Sequence, residues 1–201
     1  MNVIGLGSAG CNIAEKFSRY PQYNIYKIDV ELRGLKKDGI YTMPKQKTAE
    51  DYEAKCPSLK NFFKNVTGKV LFIVCGAGKI SGATLRILET IKHRQISLMY
   101  VLPDTELLSE RAQMRNRVSY NILQQYARSG LLKRMYIISN PSIESIIGNV
   151  PIVGYYDKLN EVISYTMHML NVFKNTPPVM NTFSEPIDFV RISTIGALDD
   201  E

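Results

Sequence analysis

The sequence predicts an α/β fold: a Rossmann-like, mostly parallel sheet with helices on both faces, followed by a long central helix. Three observations carry this. Short β-branched or aliphatic runs alternate with longer amphipathic ones, the pattern of parallel strands joined by crossover helices. Two glycine-rich loops each lie between a hydrophobic run and a helix start. From Gly154 to Lys174 the apolar positions Leu159, Val162, Ile163, Met167, Leu170 and Phe173 recur at helical spacing, giving a helix of about six turns.

Each element can be justified in chain order. Asn2 to Gly5 reads as a first strand, Asn12 to Tyr20 as a helix and Asn24 to Asp29 as a second strand. Residues 34–66 are less regular, punctuated by Pro44 and Pro57, with helical patches at Ala49 to Ala54 and Leu59 to Lys64. Val70 to Cys75 is the most hydrophobic strand, as expected at the centre of a buried sheet. Ser81 to Arg94 reads as helix, Ile96 to Leu102 as strand, and Thr105 to Arg128 as a long helix stopped by Gly130. Met135 to Ser139 is the last clear strand, broken by Asn140-Pro141, and Pro177-Pro178 ends the central helix. The length suits one domain. Its parts are an α/β nucleotide-binding unit at 1–153, the central helix at 154–176, and a loop-and-tail segment at 177–201.

Composition narrows the function. With 45% hydrophobic and 22% charged residues the chain reads as an ordinary globular protein, and no run approaches the ~20 apolar residues that span a bilayer. No secretory segment precedes the first strand, and Cys11, Cys56 and Cys75 have neither disulfide parity nor metal-ligand spacing. A reducing, cytoplasmic setting without a metal site is expected. The net charge of +6 would suit a polyanion. The basic residues are scattered along the chain, which argues for a solvated surface and against a nucleic-acid stripe.

The loops carry the chemistry. Gly5-Leu6-Gly7-Ser8-Ala9-Gly10 follows a strand and opens a helix, the context in which a G-x-G-x-x-G loop cradles phosphate. Glycine lets backbone N–H groups approach the anion, and the helix N-terminus adds partial positive charge. Asp29 ends the second strand nineteen residues after Gly10, where a dinucleotide enzyme places its ribose-binding acid. A second loop, Cys75-Gly76-Ala77-Gly78-Lys79-Ile80-Ser81-Gly82, again links a buried strand to a helix start, and two such loops at adjacent strand ends imply a shared anion site. Lys79 could face a phosphate as a point charge or lie in solvent.

The first loop with its following Cys11-Asn12, and the second loop in this order, resemble the tubulin/FtsZ family. Gly78, Ser81 and Gly82 match part of the family's signature loop. The resemblance continues with Pro103, Glu106 and Arg111, with Ser139-Asn140-Pro141, and with Tyr156 four positions before Asn160. It implies GTP or GDP as ligand, with Mg²⁺, and assigns phosphate contacts to Gly5, Gly7, Ser8, Gly10, Gly76, Gly78, Lys79, Ser81 and Gly82. Ribose contacts fall to Glu106, Arg111 and Asn140, with Glu110 as the competing acid. Base contacts fall to Asn12, Asp29, Tyr156 and Asn160; an aromatic face can stack on a purine, and an amide offers both donor and acceptor.

The same resemblance implies head-to-tail self-association into filaments, with hydrolysis completed by acids of the next subunit, here Asp188 and Glu185. Arg191 stands where the second acid belongs, and a guanidinium cannot do a carboxylate's work, so slow or absent GTPase activity is expected. The family's second domain would begin where the sequence stops at Glu201, which would uncover one face of the central helix and favour a partner. Two other readings stand beside this one. An NAD(P)- or FAD-dependent oxidoreductase would use the first loop and Asp29, yet His93 and His168 lack a catalytic context. A scaffold module would keep the fold and have lost the nucleotide.

Overall fold

A computed structural model describes residues 1–32, 38–148, 151, 153–177 and 190–195. The strands are β1 (Asn2–Leu6), β2 (Asn24–Asp29), β3 (Ile40–Thr42), β4 (Lys69–Cys75), β5 (Gln95–Leu102), β6 (Arg134–Ser139) and β7 (Ile192–Ile195). The helices are α1 (Gly7–Lys16), α2 (Ala49–Ala54), α3 (Thr84–Ile91), α4 (Glu110–Ser129), α5 (Asn140–Ile147) and α6 (Tyr155–Asn175). The strands form one sheet in the order β3-β2-β1-β4-β5-β6-β7, and every pairing is parallel.

Each face of the sheet buries its own core. Val3, Leu71, Ile73, Met99, Val101, Tyr136 and Ile138 point to one side, under α1, α5 and α6. Their alternate neighbours Ile4, Leu6, Phe72, Val74, Leu98, Tyr100 and Ile137 point to the other, with Tyr52 of α2, Leu88 of α3 and Leu123 of α4. Because both faces are covered, β4 reads as a continuous apolar run, buried from Val70 to Val74. Fully burying each such side chain is worth ~1.5–3 kcal/mol relative to exposure.

The differences from the sequence reading have local causes. The glycine loop is itself helical, so α1 starts at Gly7 and not at Asn12. Asn140-Pro141 starts α5 where the sequence reads a break, because Pro fits the first helical turn, and Ser139 caps it by accepting the Ser142 N–H at 3.4 Å. Helix α4 begins at Glu110; before it, Asp104 accepts the Glu106 N–H at 2.9 Å and turns the chain at the segment read as helix from Thr105. Leu59 to Lys64 is a series of turns. The short β3 is missed because it carries little apolar signal, and β7 converts part of the 177–201 segment into a sheet strand. Gly130 does end α4, at φ +87°.

Candidate functional site

The sheet reverses its direction of growth between β1 and β4: chain order runs outward through β2 and β3 on one side and through β5, β6 and β7 on the other. A crevice outside the carboxyl ends of the strands forms at such a switch point. Both glycine loops leave the sheet there, since Leu6 and Val74 are register partners at the ends of β1 and β4.

The glycines have distinct physical tasks. Gly7 sits at φ +72°, and a Cβ there would lie 2.8 Å from Ile80 Cγ2, so the second loop closes directly over the start of α1. Gly5 and Gly10 serve close packing: their Cβ atoms would lie 2.3 Å from the Gly10 carbonyl oxygen and 2.6 Å from the Ile73 carbonyl oxygen, respectively. Gly76 and Gly82 are also required by packing: a Cβ would meet the Tyr100 hydroxyl or the Ala49 carbonyl oxygen, respectively, at 1.9 Å. Gly78 differs. Its φ of −72° is ordinary, it is exposed, and its nearest neighbour would be Ile80 Cγ2 at 4.0 Å, which leaves the backbone open to an approaching group.

Two helical starts face this crevice without caps. Helix α1 has no side-chain cap and no acid in its first turn. The 3-10 turn at Lys79–Ala83 that leads into α3 also lacks both. The free N–H groups and the helix dipole therefore favour an anion. By contrast α2 is capped by Thr48, with Glu50 and Asp51 in its first turn, and α4 opens with Glu110.

The second loop is braced from behind. Ser81 is buried, and its hydroxyl lies 2.9 Å from the Gly76 carbonyl oxygen and 2.7 Å from that of Gly78, so it helps to shape the loop. Arg115 of α4 donates through Nε and Nη2 to the Ala77 carbonyl oxygen at 3.0 and 2.9 Å. Sequence reading missed this arginine; its only signal is a position one helical turn after Arg111. Lys79 and Ser8 are exposed. The Ser8 hydroxyl donates to Asp29 Oδ2 at 2.9 Å, and the Val30 N–H donates to Asp29 Oδ1 at 2.8 Å. Asp29 is 7% exposed, and with both oxygens engaged it anchors the start of α1. It ends β2, on the far side of β1 from β6 and the helix α5 that follows it.

The remaining residues divide. Asn12 is exposed on α1 one turn before Lys16, and Lys16 pairs with Asp157 in the first turn of α6. Tyr156 is 65% exposed, with its ring edge-on to Tyr155 at 5.1 Å, and its outer face is open. Asn160, one turn on, is 9% exposed and lies on the buried side of α6 with Leu159 and Ile163. Asn140 opens α5 on the same side of the sheet, and its Oδ1 is buried with no hydrogen-bond partner. Tyr155 ties α5 to α6: desolvation and a hydrogen bond to Glu144 push its hydroxyl pKa up to about 12. Glu106 and Arg111 are exposed, Glu106 in the turn after β5 and Arg111 in the first turn of α4. Glu185 and Asp188 lie outside the described residues. Arg191 is at the opposite end of the sheet, beside Gly130, and its carbonyl accepts the Met135 N–H at 2.6 Å.

The thiols are set apart from nucleophilic work. Burial, then the nearby Asp29 carboxylate, pushes Cys11 up to about 12, and burial raises Cys75 as well. Among the described residues no cluster of His, Cys, Asp or Glu could hold a metal ion, and no helix is long and apolar enough to cross a membrane.

No family model matches this chain, and no curated protein matches it in sequence. Solved structures do match in fold. An empty FtsZ dimer from M. jannaschii superposes with a TM-score of 0.70 at 14% identity, covering 90% of this chain and 56% of that one. A point mutant of M. jannaschii FtsZ gives 0.66 at 15% identity, with 90% and 58% covered. The chain thus spans a little over half the length of the FtsZ chains it resembles. At this identity the likeness establishes architecture, and the chain has a tubulin/FtsZ-like α/β fold built on a seven-stranded parallel sheet.

Proposed function

We propose that this chain binds a guanine nucleotide across the β1–β4 crevice. The observation that carries the reading is the meeting of two uncapped helical starts at adjacent strand ends, with Gly7 under the second loop and Gly78 open beside it. The phosphates would lie against the backbone N–H groups of Gly7, Ser8 and Gly78, with Lys79 supplying a charge from solvent. The orphaned Oδ1 of Asn140 fits a ribose hydroxyl, a donor that would satisfy it. The base would lie between Asn12 and the start of α6, stacked on Tyr156, with Asn160 completing its recognition. Mg²⁺ bound with the nucleotide would neutralise phosphate charge.

Hydrolysis is proposed to be slow. Arg191 occupies the position of an acid in the family pattern. The proposal extends to head-to-tail self-association. Tyr165, Met169 and Val172 form an exposed apolar stripe along α6, available to a further domain or a second copy.

Asp29 at the end of β2 favours a second reading as a dinucleotide enzyme, because such enzymes place their ribose-binding acid there. Thermal unfolding with GTP, GDP, ATP or NAD⁺ at saturating concentration, each with Mg²⁺, separates the two. A rise in Tm confined to guanine nucleotides supports the first reading. A rise with NAD⁺ alone replaces it with the second, and no rise with any of them removes both. Light scattering of the nucleotide-bound chain then tests assembly.

A further inference from the structure

The other end of the sheet holds a second feature. Side chains alternate across a sheet, so Lys69, Gln95, Ser97 and Arg134 project to the same α6 side as Leu71, Met99 and Tyr136, with Ser97 and Arg134 level with Leu71 and Lys69 and Gln95 in the next row toward the strands' amino ends. The last turns of α6 close over these side chains, and a cavity of about 120 Å³ lies between them. That exceeds the ~10–15 Å³ of such space that one water requires. Lys69, Lys133, Arg134 and Lys174 line it with Asn171 and Asn175, and no Asp or Glu is among its described lining residues.

The side chains are held in place by one another. Lys69 Nζ donates to Asn175 Oδ1 at 2.7 Å, and Asn175 Nδ2 donates to the Asn171 carbonyl oxygen at 2.7 Å. Lys174 Nζ donates to the Tyr136 hydroxyl at 2.6 Å and lies 5.1 Å from the centre of its ring. Arg134 is only 8% exposed, and among the described residues no carboxylate pairs with it. A largely buried arginine with no carboxylate beside it among the described residues can be satisfied by a bound oxyanion that accepts its forked N–H groups.

We infer that this cavity binds the phosphoryl group of a small phosphorylated ligand. Its size suits one tetrahedral oxyanion, and Arg134 at its wall supplies a bidentate donor that flexible surface lysines alone would not. The site lies at the opposite strand ends from the glycine loops and does not depend on the nucleotide reading.

The test is calorimetry and thermal unfolding of the full chain with sodium phosphate and pyrophosphate, chloride being adjusted to constant ionic strength. The expected result is saturable one-site binding and a rise in Tm of ~2–4 °C. Arg134→Met removes the phosphate response without lowering the Tm of the ligand-free chain, because among the described residues no carboxylate pairs with the charge it deletes. Lys69→Gln, at the exposed rim, folds as the wild type and weakens binding ~10-fold. Three results overturn the inference: phosphate acting no differently from chloride, both variants responding like the wild type, or a short single-stranded oligonucleotide displacing phosphate more effectively than pyrophosphate does.

Discussion

The two ends of the sheet, each proposed above to take an anion, offer hydrogen-bond donors by different means. At the carboxyl ends of β1 and β4 the donors are backbone N–H groups of uncapped helical starts, framed by glycines that let main chain meet main chain. At the amino ends of β4, β5 and β6 the donors are side chains, with Arg134 sunk into the wall and Lys69 at the rim. A site made of backbone cannot be altered without altering the fold, whereas one made of side chains can be emptied while the sheet persists.

That contrast can be broken first at Gly10. Gly10→Ala places a methyl group where the Ile73 carbonyl oxygen would be 2.6 Å away, and α1 must lift off β4. The expected loss is ~1–3 kcal/mol in chemical denaturation. Gly78→Ala, in open space at φ −72°, should stay within ~0.5 kcal/mol of the wild type. Equal losses at the two positions would refute the division between packing glycines and an open one.

Tyr156→Ala sharpens the comparison from the ligand side. The ring is largely exposed, so stability should hardly change, while loss of stacking lowers guanine-nucleotide affinity ~10-fold by calorimetry. Undiminished affinity would remove Tyr156 from the site. Arg115→Met removes two hydrogen bonds to the Ala77 carbonyl oxygen and should cost about 1 kcal/mol, with faster amide hydrogen exchange in residues 76–82. Unchanged exchange there would show that the loop holds its shape without the brace.

The smallest effect concerns His168, between the two ends on α6. It stacks on Tyr20 at 3.7 Å and hydrogen-bonds the Tyr23 hydroxyl at 3.0 Å, and desolvation holds its pKa below the ordinary histidine value. The unfolded chain therefore binds this proton more readily than the folded one. Its contribution is fully present above an ordinary histidine pKa of ~6.5 and falls as pH drops toward the lowered folded value. His168→Gln should flatten that part of the stability–pH curve, and an unchanged slope would assign the dependence to other groups.

The sequence alone determined the strands with strong apolar runs. Asn24–Asp29 was read to the residue, and β4, β5 and β6 to within one residue at either end. Local chemistry suffices there, because a strand buried on both faces must be apolar throughout. It also marked both glycine loops, since their motifs are contiguous. It could not assign separate tasks to the glycines, because whether a Cβ would strike Ala49, Tyr100 or nothing depends on distant segments. It did not show the hydrogen bond of Asp29 to Ser8, twenty-one residues earlier, which only the folded chain brings together. It read the basic residues as scattered, and in the chain they are: Lys69, Lys133, Arg134 and Lys174 span more than a hundred positions. Only parallel pairing of β4, β5 and β6, with α6 laid across them, gathers those charges around one cavity, because register and helix docking are set by core packing between segments far apart in sequence.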